Sequence, residues 1–212
     1  MLIRIAREAL SRLSQAPSDL EWGQEDAAVA IVFSAAAIES LVAEFALLCN
    51  LARRTSGATP YVGLIADALD ELEKQRGSVR LKLLVLKGML QGEPYDASRR
   101  PFQDIALLID LRDSLVHLKP VETSDGSHKL LRAVVARGLA ETPPARVAVP
   151  WLVQLLTRAC AQWAVRVVED FAEHIRMDAV KTPLAPSFPL LVTEMWGPRA
   201  VSESPTLPPK TR

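Results

Sequence analysis

Leu107-Leu108-Ile109-Asp110-Leu111-Arg112-Asp113-Ser114-Leu115-Val116-His117-Leu118-Lys119-Pro120 carries two messages in one segment. Its apolar residues recur at spacings of three and four, the period of a helix and not of a strand. Pro120 closes the run, because proline cannot continue a helix and restricts the residue before it. Wound as a helix, Asp110, Asp113, Ser114 and His117 fall at i, i+3, i+4 and i+7 and share one polar face. Arg112 sits off that face. Its helical neighbours are Leu108, Ile109, Leu115 and Val116, all apolar. An unpaired guanidinium in an apolar stripe is costly, so Arg112 needs a carboxylate from elsewhere in the chain.

The same spacing extends in both directions. It predicts helices over Leu2 to Leu13, Gln24 to Arg53, Pro60 to Gln75, Val79 to Leu90, Arg99 to Leu118, His128 to Leu139 and Trp151 to Met177. Pro17-Ser18-Asp19, Thr55-Ser56-Gly57, Gly77-Ser78, Gln91 to Pro94 and Pro143-Pro144 punctuate them. Thr59 before Pro60, and Ser98, are the expected helix caps. No alternating run reads as a strand. After Lys181 the chain holds seven prolines and no helical period. The expectation is an all-α helical bundle over residues 1–178, followed by a proline-rich extended tail over 179–212.

Composition narrows the function classes. The chain has 212 residues, 49% of them hydrophobic, with 25 Lys+Arg balanced by 25 Asp+Glu. The apolar content suffices for a core, and neutrality excludes a protein that coats nucleic acid by bulk charge. Cys49 and Cys160 lie in apolar helical context and read as small hydrophobes rather than a disulfide framework. With three His and no ligand-spaced Cys or His pair, no metal site is expected, and no phosphate loop or nucleophile elbow points to a cofactor or a serine hydrolase. The charged N-terminus does not read as a signal peptide. The longest uncharged apolar run, Ala27 to Ile38, is too short to span a bilayer. The expected setting is the cytoplasm, with no membrane partner. A mean hydropathy of +0.13 leans toward a subunit interface.

Arg112 has one natural partner. In the stripe Ala28, Val32, Ala35, Glu39, Val42, Ala46, every residue except Glu39 is small and apolar. Small residues let another helix approach closely. A lone carboxylate in one close-packed stripe and a lone Arg in another predict a Glu39–Arg112 contact.

With these residues in place the chain resembles the HEPN superfamily. Ala37-Ile38-Glu39-Ser40 lies in a long early helix, and Leu111-Arg112-Asp113-Ser114-Leu115-Val116-His117 follows the pattern of Arg, a polar residue, a short spacer and His. The family often has Asn after the Arg, where this chain has Asp113. The resemblance implies a HEPN-like helical bundle acting as a metal-independent endoribonuclease, a toxin or defence component. It implies a homodimer whose two Arg–His motifs line one cleft, with RNA as substrate and an antitoxin or nucleotidyltransferase as restraining partner. Arg112 would neutralise the phosphate, His117 would move a proton and Asp113 would orient a partner group, with Glu39 and Ser114 in support. The alternative is a catalytically silent HEPN-like dimerisation or binding module.

Each residue also has a plainer reading. His117 at a helix C-terminus is favoured by the macrodipole alone. Arg112 serves equally well as a structural ion-pair partner. Trp151 and Trp163 suit a core better than base stacking. Arg99 and Arg100 are candidates to track an RNA backbone, although a solvated helix start explains them too. Charge is blocky along the chain. Asp19 to Cys49 holds six acids and no Lys or Arg, Lys74 to Arg100 holds seven basic residues against Glu93 and Asp96, and Gly126 to Arg166 holds six against Glu141. The two basic segments flank the Arg112–His117 helix in sequence and are expected to flank a cleft in space.

Overall fold

The computed structural model describes residues 1–15, 24–54, 60–117, 129–140 and 150–182. Trp22, Trp196, His128, Thr59, the breaks at Pro17–Asp19, Thr55–Gly57, Lys119-Pro120 and Pro143-Pro144, and the proline-rich 183–212 lie outside the described residues. Among those described, 81% are helical and none is in a strand. The order is α1 (Leu2–Gln15), α2 (Glu25–Arg53), α3 (Pro60–Lys74), α4 (Val79–Gln91), α5 (Phe102–His117), α6 (Lys129–Val135), α7 (Trp151–Gln154) and α8 (Arg158–Val180).

α2 is the hub. It packs against α1, α3, α4, α5 and α8, and it buries Ile31, Ala35, Ile38, Leu41, Val42, Phe45 and Cys49. Each large apolar side chain taken from water there stabilises the fold by about 1.5–3 kcal/mol. Alanines decide where helices meet most closely. Ala9 and Leu13 of α1, Ala27 and Ala30 of α2 and Ala161 of α8 form a cluster of their own, because only small residues allow three axes to converge. Ion pairs rim this contact: Arg12 reaches Asp26 at 2.6 Å and Arg7 reaches Glu169 at 2.7 Å. α8 lays Cys160, Ala164, Val168, Phe171, Ile175 and Ala179 on the core at the three-and-four spacing of a half-buried helix. α2 is also, by length and composition, sufficient to cross a membrane, so the short uncharged run from Ala27 to Ile38 understated the extent of the apolar helix.

Four expected boundaries are corrected. The last helix is not continuous from Trp151. It stops after Gln154, and α8 starts at Arg158, because Thr157 adopts an extended conformation and its Oγ1 accepts from the Cys160 N–H at 3.0 Å. The same hydroxyl donates to the Leu139 carbonyl at 2.6 Å, so the break is bonded on both sides. α8 then runs through Val180, two residues past the expected domain end. α5 begins at Phe102 rather than Arg99, since the residue before a proline is biased away from helix; the Gln103 N–H donates to the Arg99 carbonyl, and the Pro101 carbonyl accepts from Asp104 and Ile105. Ser98 does not cap it; its hydroxyl donates to Asp96 at 2.6 Å within the preceding turn. α6 stops at Val135 and not Leu139, because Gly138 turns into the left-handed region (φ 66°) and the Leu139 N–H returns to the Val134 carbonyl.

Candidate functional site

The site forms where α5 crosses α2. α5 buries Phe102, Ile105, Leu108, Ile109 and Leu111, which fixes its rotation and directs Arg112 toward α2. There Arg112 Nη2 donates to Glu39 Oε1. The contact expected from the two lone charges is present. Both side chains are half-buried, Arg112 25% and Glu39 35% exposed. Arg112 Nε lies 3.2 Å from Asp113 Oδ1, but the N–H does not point at it, and Nε is buried without a hydrogen-bond acceptor. The guanidinium is therefore held at one corner while other N–H donors of its fork are uncommitted to α2.

The remaining expected residues do not form one cluster. Asp110 is an ion-pair partner of Arg80 of α4 at 2.5 Å, and Arg80 also donates to the Ala106 carbonyl at 2.9 Å. Ser114 donates its hydroxyl to the Asp110 carbonyl at 2.9 Å, one turn back along its own helix. Asp113 is exposed. His117 is the last residue of α5, exposed, and makes no hydrogen bond among the described residues. Next to it Val116 is 52% exposed. Five helical steps separate Arg112 from His117, which sets them about 140° apart around the axis. Within one copy their side chains leave α5 in different directions.

The first basic segment does not flank His117 as a block. Arg99 pairs with Asp96 and Arg100 with Asp104, and both sit before the N-terminal end of α5, more than about 20 Å along the axis from His117. Lys74 pairs with Glu71, Lys82 with Glu73, Lys87 with Asp178 and Arg137 with Asp104. In the first segment the charge that is blocky in sequence is mostly neutralised in space; in the second, Arg137 is the described cation with a carboxylate partner. Arg80, at Asp110, is the member of the first block placed beside the second half of α5.

One polar cluster lies outside the sequence reading. Lys87 is only 2% exposed, yet its ammonium meets Asp178 of α8, itself 14% exposed. Gln91 donates to the same carboxylate at 3.3 Å, and the Tyr95 ring lies 5.4 Å from the ammonium. Burial pushes the Tyr95 hydroxyl above its ordinary value. The signal was available: Lys87 stands among Leu83, Leu84 and Leu90 at helical spacing, the same anomaly that singled out Arg112. Among the described residues no three His, Cys, Asp or Glu side chains converge as a metal site requires.

Compared with known proteins, the chain matches no family model, no curated protein and no solved structure.

Proposed function

We propose that the chain is a HEPN-type, metal-independent endoribonuclease that works as a homodimer in the cytoplasm, in a toxin or defence role. The observation that supports this reading is the division of labour on α5. Arg112 is steadied by Glu39 from a second helix, whereas His117 stands exposed at the helix end with no partner among the described residues.

Arg112 and His117 diverge by about 140° on one helix, so a cleft holding both functions calls for a second copy, with exposed Val116 next to His117 as apolar contact surface. In that cleft the 2′-OH of RNA attacks the adjacent phosphorus. The O2′–P bond forms, the P–O5′ bond breaks, and the products are a 2′,3′-cyclic phosphate and a 5′-OH. Arg112 neutralises the charge that develops on the phosphate oxygens. His117 takes the 2′-OH proton or delivers one to the departing O5′. Asp113, exposed one turn before His117, orients the substrate side.

The test is cleavage of varied RNAs in EDTA with end-group analysis. Wild type is expected to yield cyclic phosphate ends, and Arg112→Ala and His117→Ala each to lose at least about 100-fold. A folded dimer that cuts none of them, or variants that cut as well as wild type, defeats the proposal. A second reading, the silent binding module, is favoured by the paired state of the first basic segment, where six of the seven cations meet a carboxylate and offer little free surface for phosphate.

A further inference from the structure

Two apolar features of this chain call for cover, one in the fold and one in the sequence. In the fold it is α2, of whose most apolar window only 44% is buried. A groove of about 560 Å3 runs along it, floored by Ala36, Ala43 and Leu47 and walled by α1, α3 and α4. Leu47 is 57% exposed. The polar rim is satisfied within the fold: Glu39 meets Arg112, Glu73 meets Lys82, and Asn50 donates to Asp70 at 3.0 Å. The groove therefore suits an occupant with apolar surface and little charge. In the sequence, 17 residues lie between Lys181 and Arg199 with a single charge, Glu194. Within them Leu190-Leu191-Val192-Thr193-Glu194-Met195-Trp196 holds five large apolar side chains in seven positions. Segments that stay solvated have the opposite composition, low in hydrophobic residues and rich in charge.

We infer that the chain's own segment Leu190–Trp196 seats in the α2 groove and completes the fold there. Place and length select this occupant. The last described residue, Thr182, stands one turn past Asp178. The Asp178 carboxylate meets Lys87 and Gln91 of α4, the helix whose Val79 and Lys82 wall the groove. Val79 lies eight residues before Lys87, about 12 Å along α4, and rounding the helix adds about 10 Å. The eight residues from Thr182 to Leu190 span up to about 26–29 Å, so Leu190 reaches the groove. Seven residues in extended form then cover about 23 Å, against about 21 Å along α2 from Ala36 to Asn50. A tethered segment meets the groove at an effective concentration of order millimolar. A second copy or a free partner lacks that advantage and loses translational freedom on binding.

Disulfide trapping in the full chain is the test. Cys49 and Cys160 are fully buried, so added cysteines are the ones free to oxidise. Ala43→Cys, at an exposed position on the groove floor, is combined in turn with Leu190→Cys, Val192→Cys or Met195→Cys and, as a control, with Thr206→Cys. A disulfide closes only where the two Cα atoms come within about 7 Å. At least one segment pair is expected to close within the monomer about tenfold or more faster than the control pair, which is tethered but not seated. Leu47→Cys in place of Ala43→Cys is expected to move the fastest closure to another position of the segment, which keeps the test independent of any one register or variant. Leu191→Asp with Trp196→Asp is expected to slow closure to the control rate. Segment pairs that close no faster than the control overturn the proposal. Closure indifferent to the Asp variants also overturns it, because contact is then passing collision. Cross-linked dimers that increase with protein concentration overturn it as well, because the groove then holds a second copy. None of these readouts depends on RNA cleavage.

Discussion

Replacing Glu39 by Gln removes the charge that holds Arg112 while keeping the shape of α2. The pair is neither fully buried nor fully exposed, at 35% and 25% side-chain exposure. Fully buried pairs lose about 3–5 kcal/mol when one partner is removed, and surface pairs contribute about 0–1 kcal/mol. The observed exposure places the cost between them, at about 1–2 kcal/mol. It does not fall lower, because Arg112 Nε is already buried without an acceptor and the guanidinium would lose its interhelical carboxylate. For a domain of this size that cost corresponds to a melting shift of about 3–6 °C. The assay is a double-mutant cycle by urea denaturation of wild type, Glu39→Gln, Arg112→Gln and the double variant. A coupling of about 1 kcal/mol or more is expected, with Arg112→Gln relieving most of the penalty of Glu39→Gln. A coupling under about 0.3 kcal/mol would show that the two charges do not sense one another, and the argument that Glu39 positions Arg112 would fail.

Other perturbations follow from the same structure. Lys87→Met strands the Asp178 carboxylate in the interior and is expected to cost about 3–5 kcal/mol in chemical denaturation, whereas Lys87→Met with Asp178→Leu recovers most of it; equal losses in both would mean the pair is not the cause. Thr157→Ala removes both the cap to Cys160 and the bond to Leu139, so a loss of about 1–2 kcal/mol is expected, with Thr157→Ser close to wild type in thermal melts. Cys49 and Cys160 are held by burial at pKa values of about 12, above the ordinary 9.0. Folded protein at pH 8 should therefore leave both thiols unreacted with a thiol reagent that titrates two in denaturant. The stabilisation from neutral thiols is complete below the unfolded-state value and is lost as pH rises toward 12, by about 1 kcal/mol per pH unit for each thiol above pH 9. Stability that is flat from pH 9 to 11 would contradict this burial.

Much of this architecture is written in residue spacing. α1 to α4 begin and end within two residues of where periodicity and punctuation put them, and α4 stops at Gly92 in the left-handed conformation. The Glu39–Arg112 pair was legible for a simpler reason: each charge stands alone in an apolar stripe, and two such anomalies must satisfy one another. Periodicity could not show the break at Gln154–Arg158. Trp151, Leu155 and the α8 core residues keep apolar spacing across it, and what interrupts the helix is a tertiary hydrogen bond from Thr157 to Leu139, a residue beyond any local window. Arg80–Asp110 and Lys87–Asp178 were likewise invisible as pairs, since long-range partners are chosen by packing rather than spacing.

The same distinction explains why net charge along the sequence misled about surface. Lys74 to Arg100 carries seven basic residues against two acidic ones, but carboxylates just outside that window, Glu71, Glu73 and Asp104, and two from distant helices, Asp110 and Asp178, each meet one. A Coulomb pair at contact outweighs any field the block could project beyond a screening length of about 8–10 Å. What survives folding at this site is local: Arg112, held by Glu39 of α2, and His117 at the exposed end of α5. If the chain cleaves RNA, Arg112 steadied by Glu39 is the phosphate-binding device the geometry offers. Cleavage should then respond more steeply to Glu39→Gln than to neutralising Arg99 or Arg100, which stand at the other end of α5. The reverse order, with Arg99→Ala and Arg100→Ala abolishing cleavage and Glu39→Gln leaving it untouched, would place substrate on the far end of the helix and remove Arg112 from its proposed role.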